Sequence, residues 1–124
     1  MSEKKILIAD DDRIVHNLLT AVLSHDDFEV IHAYDGQETI ERVYDEQPDL
    51  VVLDIMMPIR DGRDICKELK ADPKTKEIKI LMLSANAEQS DRALGFEVGA
   101  DDYEAKPFSA DLLALKIKRM CGIE

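Results

Sequence analysis

Positive charge is scarce in this sequence: 16 Lys and Arg stand against 27 Asp and Glu, a net charge of -11. A protein that neutralises nucleic-acid phosphates needs a basic face, and so does one that lies on an anionic membrane, so direct nucleic-acid and membrane partners are not expected. Cysteine is scarce too. Cys66 and Cys121 show no CxxC or Cys/His metal spacing, which points to two reduced thiols in a cytosolic protein. No apolar run approaches the roughly 20 residues of a membrane helix. Met1-Ser2-Glu3-Lys4-Lys5 leads into a strand-like run without a signal-peptide pattern, so a cytoplasmic location is expected. Repeats, low-complexity tracts and linkers are missing, and the 124 residues are read as one domain, 1–124. With 45% hydrophobic and 35% charged residues, that length can bury a proper core.

What is there is organised around Leu50-Val51-Val52-Leu53-Asp54, four apolar residues running into one acid, followed by Ile55-Met56-Met57-Pro58 and Arg60-Asp61-Gly62. A short apolar run bounded by turn signals reads as a buried strand of a parallel sheet. Asp54 then stands where the strand leaves the sheet, and ligands of open α/β sheets bind just outside such carboxyl ends.

The same pattern recurs along the chain. Ile6 to Ala9 is a strand ending in Asp10-Asp11-Asp12. Ile14, Val15, Leu18, Leu19, Val22 and Leu23 fall at helical spacing, with Asp12 as N-cap and His25-Asp26-Asp27 closing the helix. Phe28 to Ala33 is a partly alternating strand and Asp35-Gly36 a turn. Gln37 to Gln47 is a helix with Ile40, Val43 and Tyr44 inward, ended by Pro48. After the Asp54 strand, Gly62 to Ala71 is a helix with Ile65, Cys66 and Leu69 on one side, and Asp72 to Lys76 a polar loop. Ile78 to Leu83 is a strand ending in Ser84-Ala85-Asn86. Glu88 to Val98 is a helix stopped by Gly99. Asp101 to Ala105 is a strand running into Lys106-Pro107-Phe108. Ser109 caps a last helix to Cys121, with Leu112, Leu113, Ile117 and Met120 inward.

Strands alternating with helices give parallel βαβ units with right-handed crossovers, hence an α/β doubly wound sandwich with helices on both faces of a parallel sheet. Asp10 and Asp11, Asp54, Ser84 and Lys106 sit at the carboxyl ends of four different strands and so converge on one rim. Clustered carboxylates repel and tend to hold a proton or a cation. Oxygen ligands without His or Cys suit a hard cation, above all Mg²⁺. A carboxylate beside Mg²⁺ can act as a nucleophile, giving an aspartyl phosphate, with Lys106 and the Ser84 hydroxyl stabilising the phosphoryl oxygens. Taken singly, each residue has a plainer role: helix-start acids, a turn cap at Asp54, a helix cap at Ser84, a surface lysine at Lys106. Those roles leave unexplained why all of them lie at carboxyl ends.

Over essentially its whole length the chain resembles a CheY-like response-regulator receiver domain. The resemblance rests on Ile6-Leu7-Ile8-Ala9-Asp10-Asp11, Leu53 to Pro58 with Asp61-Gly62, Leu83-Ser84-Ala85, and Gly99 to Tyr103 through Lys106-Pro107-Phe108. It implies a flavodoxin-like five-stranded sheet of order 2-1-3-4-5 with five helices. It implies that Asp54 accepts a phosphoryl group from a histidine kinase, a phosphotransfer protein or a small phosphodonor. Asp11, Asp54 and the Met56 backbone carbonyl would ligate Mg²⁺, Asp10 acting through water, with Lys106 pairing with the phosphoryl group after a cis Lys106-Pro107 bond. Ser84 and Tyr103 would be the switch pair, the hydroxyl moving to the phosphoryl oxygen and Tyr103 turning inward.

The chain departs from the family pattern in places. Ser84 stands where many receivers carry Thr, and Met56 offers no polar side chain to orient attacking water, Asn86 only weakly, so slow self-dephosphorylation is expected. Asp101-Asp102 with Lys116 and Lys118 resembles the face of fourth helix, fifth strand and fifth helix through which transcription-factor receivers form homodimers. Leu112, however, stands where that subfamily carries an acid facing a base such as Arg92. The output is a downstream protein or a fused output domain, and the chain is either a stand-alone receiver or a piece of a longer protein. Two other functions compete with the signalling module: a binding module that no longer needs phosphate, against which the intact Asp10, Asp11, Asp54, Ser84 and Lys106 speak, and a Mg²⁺ phosphatase, an enzyme for which the chain leaves little room.

Overall fold

The computed structural model describes residues 4–24, 28–84 and 99–122. Five parallel strands, β1 (Lys5–Ala9), β2 (Glu29–Ala33), β3 (Leu50–Asp54), β4 (Lys79–Ser84) and β5 (Asp102–Ala105), form one sheet in the order β2-β1-β3-β4-β5. The expected strand order is therefore the observed one, with the starts of β1, β2, β4 and β5 shifted by one residue and that of β3 as expected. Four helices lie among the described residues: α1 (Arg13–Leu23), α2 (Gly36–Glu46), α3 (Gly62–Ala71) and α4 (Ala110–Met120). The helix expected over Glu88 to Val98, with Ala85, Asn86 and Arg92, lies outside the described residues, as does the His25-Asp26-Asp27 stop of α1.

Period-two alternation divides the core between the two faces of the sheet. Leu7, Ala9, Val51, Leu53, Ile80 and Met82 pack with Val43 of α2 and Ile65, Cys66 and Leu69 of α3. Ile6, Ile8, Leu50, Val52, Leu81 and Leu83 pack with Val15, Leu19 and Leu23 of α1 and Leu113, Ala114 and Ile117 of α4. β3 is buried along its whole length because it lies mid-sheet with both faces covered. Each such Val or Leu contributes about 1.5–3 kcal/mol of transfer free energy. Burial pushes the Cys66 thiol up to about 11, which suits an unreactive core thiol.

The helix starts follow the capping acids and hydroxyls. Asp12, Asp35, Asp61 and Ser109 each accept a hydrogen bond from a main-chain N–H of the first turn they precede. Asp35, expected in a turn, is thus a cap, and α2 begins at Gly36 and ends on a left-handed Gln47.

Two helices are rotated from the expected facing. On α1, Ile14 is 65% exposed and Leu18 also faces solvent, while His16 is buried with Val15, Leu19 and Leu23. At about 100° per residue, positions 15, 16, 19 and 23 share one stripe and 14 and 18 fall off it. On α4, Leu112 is 68% exposed, since the stripe runs through Leu113, Ala114 and Ile117. In both helices apolar residues beside the buried stripe, Ile14 and Leu18 on α1 and Leu112 on α4, face solvent. Among the described residues no helix is long and apolar enough to cross a membrane.

Candidate functional site

The order β2-β1-β3 makes β1 and β3 neighbours, with Ala9 opposite Leu53. Asp10 follows β1 directly and Asp54 ends β3, so the sheet register carries their carboxylates to the same rim. One oxygen each of Asp10, Asp11 and Asp54 lies within 4.8 Å of the others. Asp10 is fully buried and Asp54 is 5% exposed, while Asp11 faces solvent.

Burial, and next the Asp10 charge, push the Asp54 carboxyl up to about 6; the Lys106 charge and the Met56 N–H, 3.3 Å from Oδ1, act the other way. Lys106 Nζ lies 2.8 Å from Asp10 Oδ2 and 3.7 Å from Asp54 Oδ1. Burial alone would lower the Lys106 ammonium, but the Asp10 and Asp54 carboxylates raise it above its ordinary value. Lys106 thus faces two of the three clustered carboxylates, and the set keeps an excess of negative charge.

Lys106 reaches the rim because its N–H donates to the Ser84 carbonyl at 2.8 Å, tying the ends of β4 and β5, and the Lys106-Pro107 bond is cis. Ser84 is buried at the end of β4, next to Asp54 in the strand order. Tyr103 is only 2% exposed and packs with the α2 and α3 side of the core.

The segment after Asp54 forms the outer wall. A cleft of about 380 Å³ is lined by Asp11 and by Met56 through Asp61. The Met56 side chain points outward, 71% exposed. Arg60 N–H donates to the Pro58 carbonyl at 2.8 Å across Ile59, whose φ of +75° places a β-branched residue in the left-handed region. Gly62 N–H donates to the Ile55 carbonyl at 2.7 Å, and a Cβ on Gly62 would fall onto the Asp54 carbonyl oxygen. Only glycine lets α3 start this close to the end of β3.

The donor set is all oxygen, clustered and net negative, which fits a hard divalent cation. Asp10, Asp11, Asp54 and Lys106 come together at this rim, and Ser84 lies at the end of the neighbouring strand β4. Three of the charges read as a dimer face, Asp101, Asp102 and Lys116, are engaged within the chain: Lys116 Nζ lies 2.6 Å from Glu104 and 3.6 Å from Asp102, and Lys70 Nζ lies 2.8 Å from Asp101. The residue missed by the reading of the sequence is His16, buried beside Asp10; its position on the Val15–Leu19–Leu23 stripe is the signal that could have found it.

Residues 6–118 match the response regulator receiver domain family. The chain is similar to a response regulator of Chloroflexus aurantiacus J-10-fl, with 37% identity, a TM-score of 0.91 and coverage of 98% of this chain and 99% of that one. It is similar to the chemotaxis response regulator CheY4 of Vibrio cholerae at 26% identity and a TM-score of 0.89, covering 96% and 99%. The BeF3-activated DrrB receiver domain matches at 29% identity and a TM-score of 0.89, covering 98% and 99%. With an acidic rim at the ends of β1 and β3 and a family match over nearly the whole chain, this protein belongs to the response regulator receiver domains of two-component signalling.

Proposed function

We propose that Asp54 is the phosphoryl acceptor of a phosphorylation-switched signalling module, taking its phosphoryl group from a histidine kinase, a phosphotransfer protein or a small phosphodonor. The observation that carries this reading is the convergence of Asp10, Asp11 and Asp54 within 4.8 Å beside Lys106. An Asp54 carboxylate oxygen attacks phosphorus in line. The new O–P bond forms as the bond to the donor breaks, to the imidazole nitrogen of a phosphohistidine or to the carboxylate oxygen of acetyl phosphate. The donor's electron pair leaves with the imidazole or acetate.

Asp11, Asp54 and the Met56 carbonyl would hold Mg²⁺, with Asp10 behind them, and the ion would supply neutralising charge for the phosphoryl oxygens. Lys106 contributes a second positive charge, released from Asp10 toward the new phosphoryl group. The buried Ser84 hydroxyl supplies a donor at the neighbouring strand end, and its movement, together with Tyr103, biases the surface that a downstream protein or fused output domain reads. A homodimer through the face of fourth helix, fifth strand and last helix would include Lys116, which pairs with Glu104 and Asp102 within the chain. The match to a BeF3-activated receiver domain supports this reading of the site.

Intact-protein mass after incubation with acetyl phosphate tests it, with and without Mg²⁺, on wild type and Asp54→Asn. One phosphoryl group gained by wild type alone, and only with Mg²⁺, is the expected result. No gain from acetyl phosphate or from a panel of histidine kinases would make the chain a phosphate-independent binding module.

A further inference from the structure

His16 lies outside the acidic cluster but touches it. The side chain is buried, at 2% exposure, and both ring nitrogens have partners. Nε2 lies 2.7 Å from the Asp10 carbonyl oxygen, and Nδ1 lies 2.7 Å from Nδ1 of His32. A carbonyl oxygen only accepts, so Nε2 of His16 carries hydrogen. In the neutral ring Nδ1 is then bare and must accept, so Nδ1 of His32 donates. One chain of two bonds therefore sets both tautomers. The Tyr34 ring stacks on His16 at 4.2 Å between centroids, and the Arg13 guanidinium lies 4.6 Å over Tyr34, which holds the imidazole plane.

Asp10 sits one residue past β1, where the strand ladder has ended. Its N–H donates to the Ala33 carbonyl at 3.1 Å, Oδ1 accepts from the Asp12 N–H at 2.9 Å, and Oδ2 faces Lys106 at 2.8 Å. The His16 bond holds its carbonyl, so the backbone N–H, the carbonyl and Oδ1 of Asp10 are each hydrogen-bonded, while buried Oδ2 has only the Lys106 charge beside it.

We propose that His16 is a positioning residue for Mg²⁺ binding and phosphoryl transfer: its Nε2–H, set by His32, clamps the Asp10 carbonyl and so fixes how the Asp10 and Asp11 carboxylates leave β1. The inference rests on the reading of the acidic cluster as the Mg²⁺ and phosphoryl site. His16 touches neither ion nor phosphate. It acts as the outer partner of a ligand set, whose loss typically costs 10–100-fold in metal affinity.

Calorimetric titration with Mg²⁺ alone on the full chain tests this, comparing wild type, His16→Leu and His16→Gln. Glutamine can offer an amide N–H near the place of Nε2, whereas leucine keeps only bulk. His16→Leu should weaken Mg²⁺ about tenfold and slow acetyl-phosphate labelling, with His16→Gln restoring most of the affinity. Unchanged affinity in His16→Leu overturns the inference, and so does an equal loss in His16→Gln, since packing would then be responsible. If His16→Leu does not fold, His32→Leu replaces it: releasing Nδ1 of His16 should weaken Mg²⁺ by a smaller factor, and no change counts against the clamp. Long-range ¹H–¹⁵N NMR should find hydrogen on Nε2 of His16 and on Nδ1 of His32; the reversed tautomers also overturn it. A wild type that binds no Mg²⁺ removes the reading of the site and this inference together. A wild type that binds it normally beside an unaffected His16→Leu removes the inference alone.

Discussion

Lys106 is paired with Asp10: its Nζ lies 2.8 Å from Asp10 Oδ2 and almost an ångström farther from Asp54. Asp10 is fully buried, so this pair satisfies a charge that water cannot reach. Removing one partner of a buried pair leaves the other uncompensated. Lys106→Met should therefore destabilise the metal-free protein by about 3 kcal/mol in urea unfolding. Mg²⁺ should recover part of the loss by supplying the missing positive charge. A fully stable Lys106→Met protein in EDTA would mean that Asp10 is neutral or solvated.

The Asp54 carboxyl, pushed up to about 6, gives the opposite sign of stability effect. A folded-state value above the unfolded one means that the ionised form is disfavoured by folding. The penalty is present in full above about pH 6 and disappears as pH falls toward 4. In EDTA, Asp54→Asn should therefore be more stable than wild type at pH 8, by on the order of 1–3 kcal/mol. The gain should shrink between pH 6 and pH 4, and Mg²⁺ affinity of wild type should fall through the same window as Asp54 takes up a proton. Denaturant titrations across pH measure the first effect and calorimetry the second. A gain independent of pH would assign it to shape rather than charge.

Gly62 couples the start of α3 to the acceptor. A Cβ there meets the Asp54 carbonyl oxygen and the Ile55 backbone, and main chain cannot step aside as a flexible side chain can. Gly62→Ala should cost about 2 kcal/mol or more despite the helix preference for alanine. It should also slow phosphoryl transfer at Asp54, because relief of the clash must move the end of β3. Urea unfolding and acetyl-phosphate labelling together check this; a stabilised, fully active Gly62→Ala protein would show that α3 can start elsewhere.

Most of the sheet was legible because its strands are short apolar runs ending in acids, a hydroxyl or a lysine. The strand order followed from the family resemblance, and the convergence at the rim from parallel topology alone. Helix starts were legible where a capping residue precedes the apolar stripe, as at Asp12 and Ser109. What composition could not settle was angular position. Ile14, Leu18 and Leu112 are apolar yet exposed, and His16 is polar yet buried, because a helix face is chosen by the sheet it meets and not by the hydropathy of single residues. Pair choice was also beyond reach: that Lys106 prefers Asp10 depends on distances of an ångström.

Leu112 and Leu113 turn that lesson into a measurement. They are neighbours of identical chemistry on α4, one solvent-facing and one 2% exposed. Leu113→Ala should cost about 2–5 kcal/mol through lost burial and a cavity beside Ile117. Leu112→Ala should change stability by no more than about 0.5 kcal/mol. Similar losses at both positions, by thermal or urea unfolding, would place Leu112 against a partner surface of the protein in solution.

Met56 is expected to lengthen the lifetime of the proposed signal. Its side chain stands at the mouth of the cleft beside Asp54 and offers no hydrogen-bonding group to a water attacking the aspartyl phosphate. An amide at the same place can hold that water near the line of attack, which lowers the orientational cost of hydrolysis. Met56→Asn should therefore shorten the lifetime of the phosphorylated protein severalfold while leaving the rate of labelling by acetyl phosphate nearly as it was. Decay of the phosphorylated mass after removal of donor checks it. An unchanged decay would mean that water reaches phosphorus by a path that does not pass residue 56.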